Sequence, residues 1–119
     1  MSISPPTIPL EREKKSELHT IEIQLRVSEK YGVPLKKLQG SHNKKYFWPR
    51  HIAMYLCTLL TSLSTPEIGR KFRGRDHTTV MHSRNKVKRR MKDDPAFAQE
   101  MEELEELLSY KDFLVGEAA

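Results

Sequence analysis

The sequence predicts an all-α bundle of five or six helices. Three observations carry this. No segment sustains the alternation of apolar and polar residues that a half-buried strand needs. Apolar residues recur at helical intervals instead, as in Ile23, Val27 and Tyr31. The periodic segments are also bounded by Pro, Gly and capping residues at positions that open or close helices.

Taken in order, residues 1–15 read as a disordered leader, because Pro5, Pro6 and Pro9 precede a run of solvated charge. The first helix is expected from about Ser16 to Tyr31, with Gly32 as the residue that ends it. A short helical turn follows from Pro34 to Leu38, closed by Gly40. Residues 41–48 read as a loop, first polar and basic, then aromatic at Tyr46, Phe47 and Trp48. Pro49 is expected to open the central helix, whose apolar face is Ile52, Ala53, Leu56, Leu59 and Leu60. Cys57 lies beside that face and reads as a small core residue.

Ser64 and Glu67 have capping-box spacing, with Pro66 in the first turn, so a helix of about two turns should run through Ile68 to Phe72. Arg73-Gly74-Arg75 reads as a tight turn. Asp76 is the N-cap expected for a helix from His77 to about Met91, buried through Val80, Val87 and Met91. Asp94 and Pro95 open a last helix from about Ala96 to Tyr110, with Phe97, Met101, Leu104 and Leu108 on one stripe. The organisation expected is a leader (1–15), a central domain (16–92) and an acidic helix with its tail (93–119).

Composition narrows the function. The chain has 119 residues, enough for one modest core. Its single cysteine allows no internal disulfide, which suits a reducing, cytoplasmic setting. No apolar run approaches the ~18 residues of a membrane span, and no secretory signal opens the chain. The net charge of +5 conceals a strong asymmetry. Residues 40–92 carry 13 basic and 2 acidic side chains, net +11, whereas residues 93–119 carry 1 basic and 9 acidic, net −8. A density of +11 over one small segment is costly self-repulsion unless a polyanion is the partner.

Two helices joined by a Gly-containing turn, behind a long buried helix, form the pattern of a helix-turn-helix. In that motif the N-terminal residues of the second helix meet base edges in the major groove. Arg75, Asp76, His77, Thr78 and Thr79 hold that place, and Arg84, Lys86, Lys88, Arg89, Arg90 and Lys92 give the later turns a basic surface. Threonine methyls suit thymine methyl groups, and an arginine can make paired contacts to guanine or phosphate.

The residues carry a resemblance beyond spacing. I-G-R-K-F-R-G-R-D-H-T-T-V-M-H-S-R-N-K-V (68–87), P-R-H-I-A-M-Y-L (49–56) and T-S-L-S-T-P-E-I-G (61–69) closely resemble the C-terminal DNA-binding domain, domain IV, of the bacterial replication initiator DnaA. The resemblance covers about residues 18–92. It implies a Trp-repressor-like helix-turn-helix bundle that binds double-stranded DNA at DnaA-box-like sites and takes part in the regulation of replication initiation. By position it implies that Asp76, His77, Thr78 and Thr79 read bases, that Arg50 and Lys86 contact DNA, and that Pro66 lies near the backbone. The family's basic loop inserts an Arg into the minor groove; the corresponding residues 41–47 offer Lys44 and Lys45 and no Arg. Arg73 stands where the family commonly has Gly or another small residue, and Thr58 where some members have a DNA-facing Lys. The family's ATPase motif is absent from this sequence, so a freestanding domain with no cofactor and no enzymatic activity is expected.

Blander readings stand beside these. His77 and His82 lie about 140° apart on a helix, poor geometry for one metal ion, so no metal site is expected. The aromatic trio is expected to anchor the loop on the central helix rather than to stack on bases. The acidic last helix has three readings: packing into the core, docking a protein partner of the replication machinery, or screening the basic face. A transcription regulator at the same sites and an adaptor acting through the acidic helix are the alternatives to a replication regulator. The oligomeric state is left open.

Overall fold

A computed structural model describes the backbone of residues 7–109 and the side chains of residues 15–109. Six α-helices follow one another: α1 (Thr7–Tyr31), α2 (Leu35–Gly40), α3 (Phe47–Leu60), α4 (Thr65–Arg70), α5 (His77–Asp93) and α6 (Pro95–Leu108). A single 3-10 turn, Lys44–Tyr46, leads into α3. No strand occurs among the described residues.

The central helix α3 is buried on most of its circumference, through Ile52, Ala53, Met54, Tyr55, Leu56 and Cys57. The other elements assemble on it. α5 lies along α3 and also packs on α4. Ile68 of α4, Phe72 of the following turn and Val80 and Val87 of α5 enter one core with Ile23 and Val27 of α1. Each such side chain contributes about 1.5–3 kcal/mol by leaving water. Phe97, Met101, Leu104 and Leu108 of α6 join the same cluster, so the acidic helix packs on the domain as the first of its three readings expects.

α1 is stitched to the remainder by polar side chains on its buried face. Gln24 Nε2 donates to the Lys71 carbonyl at 3.0 Å, and His19 Nε2 donates to the Leu108 carbonyl at 2.5 Å. Ser16 and Ser62 share a hydroxyl hydrogen bond of 2.7 Å. The Tyr31 hydroxyl donates to Glu100, and both burial and that carboxylate hold its pKa above the ordinary value. These bonds satisfy groups that burial would otherwise penalise. Gln24 thereby ties α1 to the turn that leads to α5, which Lys71 begins.

Several boundaries differ from expectation, each for a local reason. α1 begins at Thr7 rather than near Ser16, so residues 7–15 are helical and not part of a leader. Pro9 falls in the first turn, where a missing N–H removes no hydrogen bond. Residues 1–6 and Tyr110 lie outside the described residues. Pro34 precedes α2 as its N-cap instead of occupying its first position. α3 begins at Phe47, which places Pro49 at its third residue and the aromatic trio on the 3-10 turn and the first helical turn. Leu59 is 44 % exposed, because the buried face of α3 runs through Met54 and Tyr55 instead. α4 stops at Arg70, and Phe72 is buried from the turn beyond it.

Candidate nucleic-acid interface

The link between α4 and α5 is shaped by sterics. After Arg70 the chain closes on itself through hydrogen bonds from the N–H groups of Phe72 and Arg75 to the Gly69 carbonyl, each 3.0 Å. The Arg75 carbonyl passes so near Gly69 that a Cβ on that residue would lie 1.9 Å from it. Only glycine permits this crossing. Arg73 (φ 64°) and Gly74 (φ 75°) are successive left-handed residues that reverse the chain, while Phe72 pins the turn to the core.

The turn delivers the start of α5 to the surface. Asp76 caps the helix, its Oδ1 accepting from the Thr79 N–H at 2.9 Å and from the Thr79 hydroxyl at 3.2 Å. Those bonds hold its pKa below the usual carboxylate value. The hydroxyl hydrogen of Thr79 is thereby committed, so its oxygen can only accept further hydrogen bonds. His77 and Thr78 are exposed, and Arg75 is half-buried with its Nε–H lacking a partner. Arg84 repeats that orphaned Nε–H on α5 itself.

Behind this edge lies a cleft of about 280 Å³, lined by residues that include His51, Thr79, Ser83 and Lys86. His51 projects from α3, its Nδ1 2.8 Å from the Ser83 hydroxyl. Burial, then Lys86, then Arg50, push its pKa down to about 4, so the ring is neutral at pH 7. His51 lines this cleft and is not among the residues that the sequence singles out. The available signal is its place directly after Arg50 in P-R-H, at the polar margin of the central helix.

The loop before α3 is internally ordered. Asn43 Oδ1 accepts from the Lys45 N–H at 3.0 Å, and Ser41 Oγ accepts from the Asn43 N–H at 3.1 Å. Lys44 and Lys45 stand exposed on it, with Lys45 Nζ 5.2 Å from the Tyr46 ring centroid. Arg50 holds its base. Nε donates to the Leu38 carbonyl at 2.7 Å, and Nη2 donates to the carbonyls of Lys37 at 2.9 Å and Ser41 at 2.5 Å. Arg50 is 4 % exposed, and burial with the nearby charge of Arg75 lowers its pKa to about 10. The sequence places Arg50 among DNA contacts; in the fold its guanidinium braces the α2–loop–α3 corner, because the ends of α2 and the loop offer three carbonyls within its reach.

The remaining expectations sort cleanly. Pro66 is exposed in the first turn of α4, below the capping box of Ser64 and Glu67 (Ser64 N–H to Glu67 Oε1, 2.8 Å). Lys86, Lys88, Arg89 and Lys92 are exposed on α5 and have no carboxylate partner among the described residues. Arg90 departs from that group. Its guanidinium carbon lies 4.1 Å from the Phe97 ring centroid and 4.7 Å from that of Trp48, with Asp94 at 3.8 Å. It clamps α5 and α6 to the aromatic residues at the head of α3. Thr58 donates its hydroxyl to the Tyr55 carbonyl at 2.7 Å. Among the described residues no three His, Cys, Asp or Glu side chains converge as a metal-binding group, and no helix is long and apolar enough to cross a membrane.

Fold and surface together define a helix-turn-helix protein whose second helix presents an exposed basic face. The model of the bacterial DnaA protein helix-turn-helix matches residues 21–87, and the chain belongs to that family. The chromosomal replication initiator protein DnaA of Enterococcus faecalis is 43 % identical to it over 96 residues, which is 80 % of this chain and 22 % of that protein. The chain thus spans about a fifth of the length of this relative.

Proposed function

We propose that this chain binds double-stranded DNA at DnaA-box-like sites and regulates the initiation of chromosomal replication in the cytoplasm, with no cofactor or catalytic step of its own. The observation that carries this is the start of α5. Arg75, His77 and Thr78 stand at a helix N-terminus with Thr79 oriented by Asp76, and cations without carboxylate partners among the described residues flank them. Such a helix enters the major groove with its first turn against base edges. Lys86, Lys88 and Arg89 then supply charge for the phosphates, which position the protein without reading sequence. Lys44 and Lys45 extend the positive surface from the neighbouring loop, Pro66 places the first turn of α4 beside the backbone, and Arg50 acts as a positioning residue for the loop.

Binding isotherms on a box duplex and a scrambled duplex across salt test this reading. The box is expected to bind more tightly, and log K should fall linearly with log salt. Thr78→Ala should cost about 1–3 kcal/mol on the box and little on the scrambled duplex, whereas Lys88→Ala should weaken both alike. Equal affinity of the unaltered protein for both duplexes defeats the proposal.

An adaptor role has one observation in its favour: Leu107 is 53 % exposed on α6 between Glu103 and Glu106. A crosslink from α6 to a replication protein, in the absence of DNA, is the outcome expected of that reading.

A further inference from the structure

Arg73 is the one described residue other than glycine with a positive φ, at 64°. A side chain there crowds the following carbonyl, and glycine would hold the same turn without that cost. Nothing inside the fold accounts for an arginine. Its guanidinium makes no hydrogen bond, ion pair or ring contact among the described residues, and the residue is exposed.

The stem nevertheless lies against a defined neighbour. It crosses Gly40, the last residue of α2, so closely that a Cβ there would lie 2.8 Å from Arg73 Cδ and 3.0 Å from its Nε. Gly40 is followed by Ser41, whose carbonyl Arg50 grips. The slot therefore carries the Arg73 side chain from the helix-turn-helix turn across to the root of the loop that bears Lys44 and Lys45. That loop contains lysines and no arginine. A guanidinium presents a planar fork of donors that matches two phosphate oxygens, which an ammonium does not.

We propose that Arg73 is a phosphate-gripping residue that bridges the recognition element and the basic loop on the DNA backbone. A positive φ that glycine would hold without strain, a stem lying against Gly40, and a guanidinium between two cationic segments with no partner among the described residues together assign it there. This inference rests on the DNA-binding reading above and adds to it a contact that carries no sequence information.

Two variants separate charge from backbone. Arg73→Met keeps the left-handed strain and the stem but removes the charge; Arg73→Gly removes all three. Both are expected to bind box and scrambled duplexes about 3–10-fold more weakly at about 0.1 M salt, with the slope of log K against log salt reduced by about 1. The melting temperature should match the unaltered protein for Arg73→Met and equal or exceed it for Arg73→Gly. Unchanged affinity and slope in Arg73→Met, with the unaltered protein still preferring the box, overturns the role of Arg73 and leaves the DNA-binding reading standing. A lower melting temperature in both variants, with no change of slope, makes Arg73 a structural brace and also overturns it. Failure of the unaltered protein to bind either duplex sinks both readings.

Discussion

Gly69, near the end of α4, and Gly74, in the turn beyond it, sit five residues apart, yet they impose different demands. At Gly74 the constraint is backbone angle: φ is 75° and the space where a Cβ would stand is empty. At Gly69 it is volume, because a Cβ would meet the Arg75 carbonyl at 1.9 Å and the Arg75 carbonyl carbon at 3.0 Å. Those are backbone atoms and cannot swing aside as a side chain does. Gly74→Ala should therefore cost only the left-handed penalty, about 1–2 kcal/mol. Gly69→Ala must move Arg75 and Asp76, and should cost about 2–4 kcal/mol by urea denaturation, in the upper range for overpacking. The displaced segment carries the proposed base-reading residues. At a temperature where Gly69→Ala is still folded, its affinity for a box duplex should fall well below that of Gly74→Ala. Similar stability and binding in the two variants would mean that the crossing of α4 by Arg75 is not tight.

At the scale of elements, what the sequence displays depends on how local the causes are. The capping box of Ser64 and Glu67, the cap of Asp76 and the opening of α6 by Asp94 and Pro95 are legible because partners lie three residues apart. The apolar stripes of α1, α5 and α6 are legible for the same reason. The start of α3 and the exposure of Leu59 are not, because they depend on which face of α3 meets α5. The candidate site divides in the same way. His77 and Thr78 are readable from their position after a cap, whereas the Arg90 clamp on Trp48 and Phe97 and the His51–Ser83 pair join segments distant in sequence. The His51 contact between α3 and α5 gives a pH dependence. The ring's pKa is about 4 in the fold, against an ordinary value near 6.5, so the unfolded chain binds more protons between those limits. Stability should therefore be fully present above about pH 6.5 and decline as pH falls toward 4. Solvent screening at this half-exposed ring limits the His51 share to about 1–2 kcal/mol across the window. His51→Gln can keep a hydrogen bond to Ser83, does not titrate, and should flatten that part of the profile measured by thermal melts. An unaltered slope in the variant would assign the acid sensitivity to other groups.

Over the whole molecule, the charge asymmetry follows the structure only in part. The segment of net +11 comprises the loop, α3, α4, the turn and nearly all of α5, but the acidic α6 shares its hydrophobic core with them. Packing and charge on α6 are thus separate properties of one helix, and they can be changed separately. Met101 is fully buried in the common cluster, so Met101→Ala should cost about 2–5 kcal/mol and lower the unfolding midpoint of the entire domain in one transition. Glu102, Glu103 and Glu106 are exposed. Changing all three to Gln should leave stability within about 0.5 kcal/mol. Their effect on DNA is long-range, since they lie on a different helix from the proposed reading residues. The triple variant should bind box and scrambled duplexes alike about 2–5-fold more tightly at about 0.01–0.05 M salt, where charges interact across tens of ångströms. The gain should vanish by about 0.3 M, as the screening length falls below the dimensions of the domain. Equal gain on both duplexes identifies screening of nonspecific binding, because a field cannot distinguish base sequences. Unchanged DNA binding at every salt concentration would remove α6 from the DNA side of the molecule and leave its acidic face to a protein partner.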